Sequence, residues 1–230
     1  FVEHFFVAST KEYLLCFTNR GQMYWLKVYR IPQASRTSAG RSIANVLSLK
    51  PDEKITSIVP VREFIPGFYL MMATRKGTVK KTELMDYSRV RQGGIIGITL
   101  DDGDELISVG LTKPGDEVVL STRHGMAIRF SEADVRAMGR TARGVKGIKL
   151  GPEDEVVGML VADPDGQLLT VCENGYGKRT PFGPNQELTE SSHDLEDDTL
   201  DEMEQARDQE AAASEDENGL ESDPTNMRYR

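Results

Sequence analysis

The feature that most constrains this chain is a repeat of about fifty residues. Four segments share one plan: a short apolar run, a polar turn ending in Gly, and a second run carrying Lys or Arg. They are Tyr13 to Thr18 with Gly21 and Met23 to Lys27; Phe68 to Thr74 with Gly77 and Thr78 to Lys81; Val118 to Thr122 with Gly125 and Met126 to Arg129; and Leu168 to Cys172 with Gly175 and Tyr176 to Arg179. The turn glycines stand 56, 48 and 50 residues apart. A tight hairpin needs positive φ, which Gly adopts without steric cost, and Asn174-Gly175 is the strongest such signal here.

A second landmark keeps the same period. Asp52-Glu53, Asp104-Glu105 and Asp154-Glu155 each precede an apolar run: Ile55 to Val61, Leu106 to Leu111 and Val156 to Val161. Between hairpin and acidic pair lies a further expected strand: Ile43 to Leu49, Ile95 to Leu100 and Val145 to Leu150. Each unit thus supplies four short strands, the arithmetic of a propeller-like blade. The fold class is all-β, with residues 1–185 forming about three to four blades. Helical periodicity is nearly absent apart from a turn expected around Ser131 to Met138. The set is incomplete, so open blade edges are expected.

Charge divides the chain. Glu187 to Arg230 holds 16 acidic and 3 basic residues, leaving 21 acidic and 25 basic residues in the rest. A mildly basic body therefore carries an acidic low-complexity segment, 186–226, whose composition predicts disorder. Leu195, Leu200 and Met203 carry a weak helical pattern, and 227–230 reads as the start of a further strand, making the acidic stretch a tail or an inter-blade insertion. The first residue, Phe1, reads as the start of a piece of a longer protein. No apolar stretch has the length of a membrane span. Cys16 and Cys172 have no metal or redox spacing and read as small buried hydrophobes of a reducing cytoplasm. His4, His124 and His193 form no metal pattern. Gly139 to Gly144 has the gap of a phosphate loop, but Val145 stands where the Lys must be.

The basic residues repeat with the units. Lys27, Lys80, Lys81, Arg129, Lys178 and Arg179 fall three to six residues after each turn Gly. A second set occupies the loop before the third strand: Arg36 and Arg41, then Arg89 and Arg91, then Arg140, Arg143 and Lys146. Cations at matching points of successive blades would form one track, suited to a phosphate polymer and indifferent to base sequence. The alternative is an ordinary solvated face. The acidic pairs read as turn or blade-junction residues, because neighbours in a strand face opposite ways. No catalytic constellation is present.

Several stretches resemble the carboxy-terminal β-pinwheel domain of DNA gyrase A subunits: Phe17-Thr-Asn-Arg-Gly21, Lys27-Val-Tyr29, Ala73 to Thr82, Asp102 to Ile107, Val135 to Gly139, Gly144 to Leu150 and Asn174 to Thr180. The resemblance implies a DNA-binding, DNA-wrapping fragment of a type IIA topoisomerase, bending the duplex to support negative supercoiling. It implies double-stranded DNA as partner and a gyrase B subunit in an A2B2 complex. It also implies a cytoplasmic, nucleoid-associated setting, with no cofactor here and ATP and Mg²⁺ on other domains. The family's Gln-Arg-Arg-Gly-Gly-Lys-Gly box is missing, and Arg91-Gln92-Gly93-Gly94 is only a faint echo. The corresponding domain of topoisomerase IV and a propeller-like protein-interaction platform are the alternatives.

Overall fold

A computed structural model describes residues 5–89 and 93–185. Contacts divide the chain into Phe1–Asn185 and Gln186–Arg230, and all described elements lie in the first. Arg91, the acidic segment, its weak helical pattern and 227–230 lie outside the described residues. Thirteen strands are present among those described, with only short 3₁₀ turns between them. The expected turn near Ser131 is one of these, Glu132–Asp134, closed by a reciprocal capping box between Ser131 and Asp134.

The hairpins form as their sequences dictate. β1 (Tyr13–Thr18) pairs with β2 (Gln22–Lys27), β4 (Tyr69–Thr74) with β5 (Thr78–Glu83), β8 (Glu117–Thr122) with β9 (Ala127–Ser131), and β12 (Gln167–Val171) with β13 (Gly177–Pro181). All four turn glycines adopt φ between 72° and 87°. Along the other edge of each first strand lies the run after the acidic pair: β3 (Ile55–Val61), β7 (Leu106–Thr112) and β11 (Val156–Ala162).

The remaining strand of each unit corrects the sequence expectation. It does not complete its own blade. β6 (Ile95–Ile96), from the second unit, pairs with β2 of the first, and β10 (Val145–Lys146), from the third, pairs with β5 of the second. The resulting orders are β3-β1-β2-β6, β7-β4-β5-β10, β11-β8-β9 and β12-β13. In the first unit the expected strand Ile43 to Leu49 instead opens with a 3₁₀ turn, Ile43–Asn45. Sequence periodicity counts the four strands of the second and third units, overcounts the first by one, and cannot say which blade receives them.

Glycine explains the exchange. Backbone amides of Gly97 and Ile98 donate to the carbonyl of Gly21 (2.8 and 3.2 Å), and those of Gly147 and Ile148 to Gly77 (2.8 and 3.4 Å). A Cβ on Gly97 would sit 3.1 Å from the Phe17 ring, and one on Gly147 would sit 2.5 Å from Val79. Only a residue without a side chain lets the incoming strand lie so close to the hairpin.

Blades stack face to face. Leu15, Phe17, Met23 and Val59 of the first sheet meet Leu70, Met72, Leu106 and Val109 of the second, with Tyr87 and Ile98 sealing the layer. The opposite face of the second sheet, Met71, Ala73 and Val79, meets Val118, Leu120, Val156 and Met159 of the third. Both faces of β1 and β4 are covered, so these strands read as unbroken apolar runs without alternation. Each fully buried Leu, Met or Phe contributes roughly 1.5–3 kcal/mol. Among the described residues, the fourth sheet joins none of these packed layers, and its Leu169 and Val171 are both more than 60% accessible.

Candidate nucleic-acid interface

Strand register separates the recurrent hairpin cations. Tyr13 faces Lys27, whereas the equivalent first-strand residues Tyr69 and Glu117 face Glu83 and Ser131. Lys27 is therefore not at the position of Lys81 and Arg129; Trp25 is. The diagonal pair on this face is Tyr13–Trp25 in blade one, Tyr69–Lys81 in blade two, Glu117–Arg129 in blade three and Gln167–Arg179 in the last. Its contacts change chemistry while keeping place: ring edge on ring at 4.6 Å, ammonium 5.0 Å from a ring, then an ion pair. Cross-strand neighbours of this kind are units of sheet stabilisation.

Several of these cations are consequently spent inside the protein. Lys81 is 7% exposed, and its Nζ donates to Glu132 Oε2 (2.7 Å) and to the Glu132 carbonyl (2.8 Å). Arg129 pairs with Glu117 and donates to the carbonyls of Phe182 and Pro184 and to Asn185 Oδ1. The Lys27 ammonium lies 3.2 Å from the Tyr13 ring centre. Lys80, on the opposite face from Lys81, has no exposed surface; its Nζ donates to the Gly97 carbonyl (2.6 Å) and to that of Arg140. The surface track expected from these residues is thus corrected: Lys80 and Lys81 are interior ties, and Arg129 is a staple to 182–185. Lys178 and Arg179 remain exposed on β13.

The loop set behaves differently. Arg36 and Arg41 are exposed, as are Arg89, Arg143 and Lys146, the last on exchanged strand β10. Arg143 makes an exposed ion pair with Asp101 at 2.9 Å. Arg89 and Arg140 come together with Lys50 around a groove of about 730 Å³, floored by Gly93, Gly94, Ile95 and Ile96 and edged by Gln22 and Thr141. One cation comes from each of three consecutive units. Lys50 escaped the sequence reading because nothing periodic marks it: counted from Leu49, Leu100 and Leu150, it stands where the other units have Asp101 and Gly151.

The groove wall is stitched to the exchanged strand. Besides the Lys80 bonds, Thr99 Oγ1 donates to the Thr141 carbonyl (2.8 Å), the Thr99 amide to that of Ala142 (3.3 Å), and Tyr87 Oη to that of Gly97 (3.0 Å). Burial, reinforced by the nearby Arg140 guanidinium and partly opposed by Asp86, pushes the Lys80 ammonium down to about 8.

The acidic pairs organise turns. Asp104 Oδ1 accepts from the amides of Lys76 (3.0 Å) and Glu105 (2.8 Å), and Asp154 Oδ1 from those of His124 (3.0 Å) and Glu155 (2.9 Å). Burial raises the Asp154 carboxyl, but hydrogen bonds from Thr122, His124 and Glu155 outweigh it and hold the group below the usual carboxylate range. The first unit is offset by one residue. Asp52 takes the left-handed position (φ 65°) that Gly103 and Glu153 occupy, so Glu53 is the true counterpart of Asp104. Arg75 and Arg123 tie to Glu105 and Glu155, each at 3.4 Å. Asp163-Pro-Asp165-Gly166 is a turn, with the Gly166 amide on the Asp163 carbonyl at 2.8 Å. Cys16 is buried, whereas Cys172 is exposed, against the expectation that both are interior.

Stacked antiparallel blades, the first two four-stranded and each closed by a strand from the next unit, with cations gathered at the exchange seam, define a propeller-class module. The family described as DNA gyrase C-terminal domain, beta-propeller, matches residues 12–62, 69–113 and 116–163, one segment for each of the first three units. The chain belongs to this family. The gyrase A protein of Salmonella typhimurium is 53% identical over 180 residues, spanning 78% of this chain and 20% of that protein; its counterpart in Escherichia coli is 50% identical, spanning 78% and 21%. The chain thus covers about a fifth of these relatives. Among solved structures, the C-terminal domain of DNA topoisomerase IV is 33% identical with a TM-score of 0.68, covering 75% of this chain and 54% of that one. A DNA gyrase A C-terminal domain is 28% identical with a TM-score of 0.65, covering 78% and 58%. Among the described residues, no helix is long and apolar enough to cross a membrane.

Proposed function

We propose that this chain binds duplex DNA by its phosphates and bends it, as the wrapping part of a gyrase A protein. The observation that carries this reading is the groove that Lys50, Arg89 and Arg140, from three consecutive units, line together. Arg36, Arg41, Arg143, Lys146, Lys178 and Arg179 extend the cationic surface available to the duplex. Arg91 is retained in the set on its sequence position alone. Such contacts position DNA without reading bases. Bending 20–30 base pairs by 40–90° costs about 1–6 kcal/mol, so several phosphates must be engaged together. That the relatives in Salmonella typhimurium, Klebsiella oxytoca and Escherichia coli are gyrase A proteins favours gyrase over topoisomerase IV.

In the whole enzyme this segment would present DNA to a cleavage gate built by other domains. Those domains would supply ATP hydrolysis and Mg²⁺, and gyrase A would pair with gyrase B as A2B2 in the bacterial cytoplasm, at the nucleoid. The test is duplex affinity between 50 and 200 mM salt. With about four phosphates neutralised, it falls roughly a hundredfold. A flat response would refute phosphate binding and leave a protein-interaction platform.

A further inference from the structure

The buried ammonium of Lys80 sits where three parts of the molecule meet. The residue belongs to β5, the second strand of blade two. One acceptor, the Gly97 carbonyl, immediately follows the strand that the second unit lends to blade one. The other, the Arg140 carbonyl, belongs to the third unit, in the loop that precedes the strand lent to blade two. Sequence separations of 17 and 60 residues are thus bridged by one side chain with no exposed surface.

Both bridged segments line the basic groove. Gly93 to Ile96 form its floor, immediately before Gly97, and Arg140 and Thr141 form its far edge. A buried charge is costly to desolvate, and a Met of similar volume would fill this site with no such cost. Packing alone therefore does not require Lys here. What the ammonium adds is direction: three donors, two of them drawing separate carbonyls to one point.

We propose that Lys80 is the positioning residue of the basic groove, an internal strut that fixes the backbone of Arg140 against the floor strand so that Arg140 and Arg89 meet neighbouring phosphates together. This rests on the DNA-binding reading above. It gives the lysine a role that acts through Arg140, not a phosphate contact of its own. Thr99 supports the same loop through its bonds to Thr141 and Ala142, but both lie beyond Arg140, so they leave the Arg140 peptide itself to Lys80.

The charged and titratable groups facing the ammonium are Arg140, Asp86 and Tyr87. Arg140 opposes its charge, and a phosphate engaged by Arg140 would relieve that opposition. By linkage, DNA binding must then favour protonation of Lys80, and its protonation must favour DNA binding.

The test uses the 230-residue chain and a fluorescent duplex, with wild type, Lys80→Met, Lys80→Gln, Arg140→Ala and the double variant Lys80→Met/Arg140→Ala. Circular dichroism and urea melts establish which variants fold. If the strut operates, Lys80→Met weakens binding about tenfold and lowers the salt slope by about 1, as if one phosphate contact were lost. Lys80→Gln, which keeps a donor, falls between. The double variant binds like Arg140→Ala alone, because Lys80 then has nothing left to position. Equal affinity and slope for Lys80→Met and wild type, or additive losses in the double variant, would overturn the proposal.

A second measurement stands if neither Lys80 variant folds. Calorimetric titration of wild type and Arg140→Ala with the duplex at pH 8, in two buffers of different ionisation enthalpy, reads proton uptake. Uptake on binding by wild type that disappears in Arg140→Ala supports the coupling; none, or uptake unchanged by Arg140→Ala, overturns it. Failure of wild type to bind DNA at all, by contrast, removes the functional reading itself and is seen before any variant is compared.

Discussion

Lys80 gives a quantitative check on the blade-two interior. The side chain has no exposed surface, and its ammonium is lowered from 10.5 to about 8, first by burial and then by Arg140. Unfolded, the group holds its proton up to 10.5; folded, it begins to release it near 8. Between those values the unfolded chain binds more protons, so stability rises with pH. At 1.36 kcal/mol per unit the full window corresponds to about 3 kcal/mol, of which about 2 kcal/mol falls between pH 7 and 9.5. Lys80→Met lacks this titration. Urea melts of both proteins at pH 7, 8, 8.8 and 9.5 should therefore show wild type gaining about 2 kcal/mol on the variant. Tyr24, pushed up to about 12 by burial and by Glu53, and Tyr87, also raised, titrate alike in both and cancel. Parallel pH curves for the two proteins would refute the buried, charge-opposed environment.

Other expectations are simpler to state. Double substitution Lys50→Glu/Arg89→Glu should weaken duplex binding at least about tenfold at 100 mM salt without changing stability in urea by more than about 1 kcal/mol, since exposed charges contribute little to folding; intact binding would dissociate the groove from DNA. Glu132→Ala strands the Lys81 ammonium in the interior and should cost about 3–5 kcal/mol in urea melts, and a loss under 1 kcal/mol would deny that pair its structural role. Gly147→Ala places a Cβ 2.5 Å from Val79, so it should cost about 1–3 kcal/mol in the same melts. Thiol titration of the native chain should find one reactive cysteine, exposed Cys172, and a second only in denaturant, because burial pushes the Cys16 thiol up to about 12; two fast thiols would show that the first blade opens.

Much of the fold was legible because hairpin chemistry is local. Gly21, Gly77, Gly125 and Gly175 announce their turns, and apolar runs on either side announce strands. Strand exchange was not legible: β6 and β10 look the same in sequence whether they close their own blade or the preceding one. Only the pairs Gly94 with Gly97 and Gly144 with Gly147, unmatched at Ile43 and Val46, hinted that these strands lie unusually close to another backbone. The site was half legible for a similar reason. Recurrence in sequence picked out Lys81 and Arg129, but recurrence marks structural positions as readily as functional ones, and their diagonal partners Tyr69 and Glu117 became visible only with register. Arg89 and Arg140 were in the expected set, whereas Lys50 breaks the repeat.

The loan of β6 to blade one also sets a timetable. Gln22 must wait for Ile96, 74 residues later, before its sheet can close. At about 5–20 residues per second of synthesis, that leaves an unfinished, sticky edge open for roughly 4–15 s on each ribosome. The next blade repeats the delay, since Val79 waits for Val145. A nascent chain of this kind always carries one unsealed sheet behind its growing end, the interval in which a neighbouring copy or a chaperone can occupy the vacancy first.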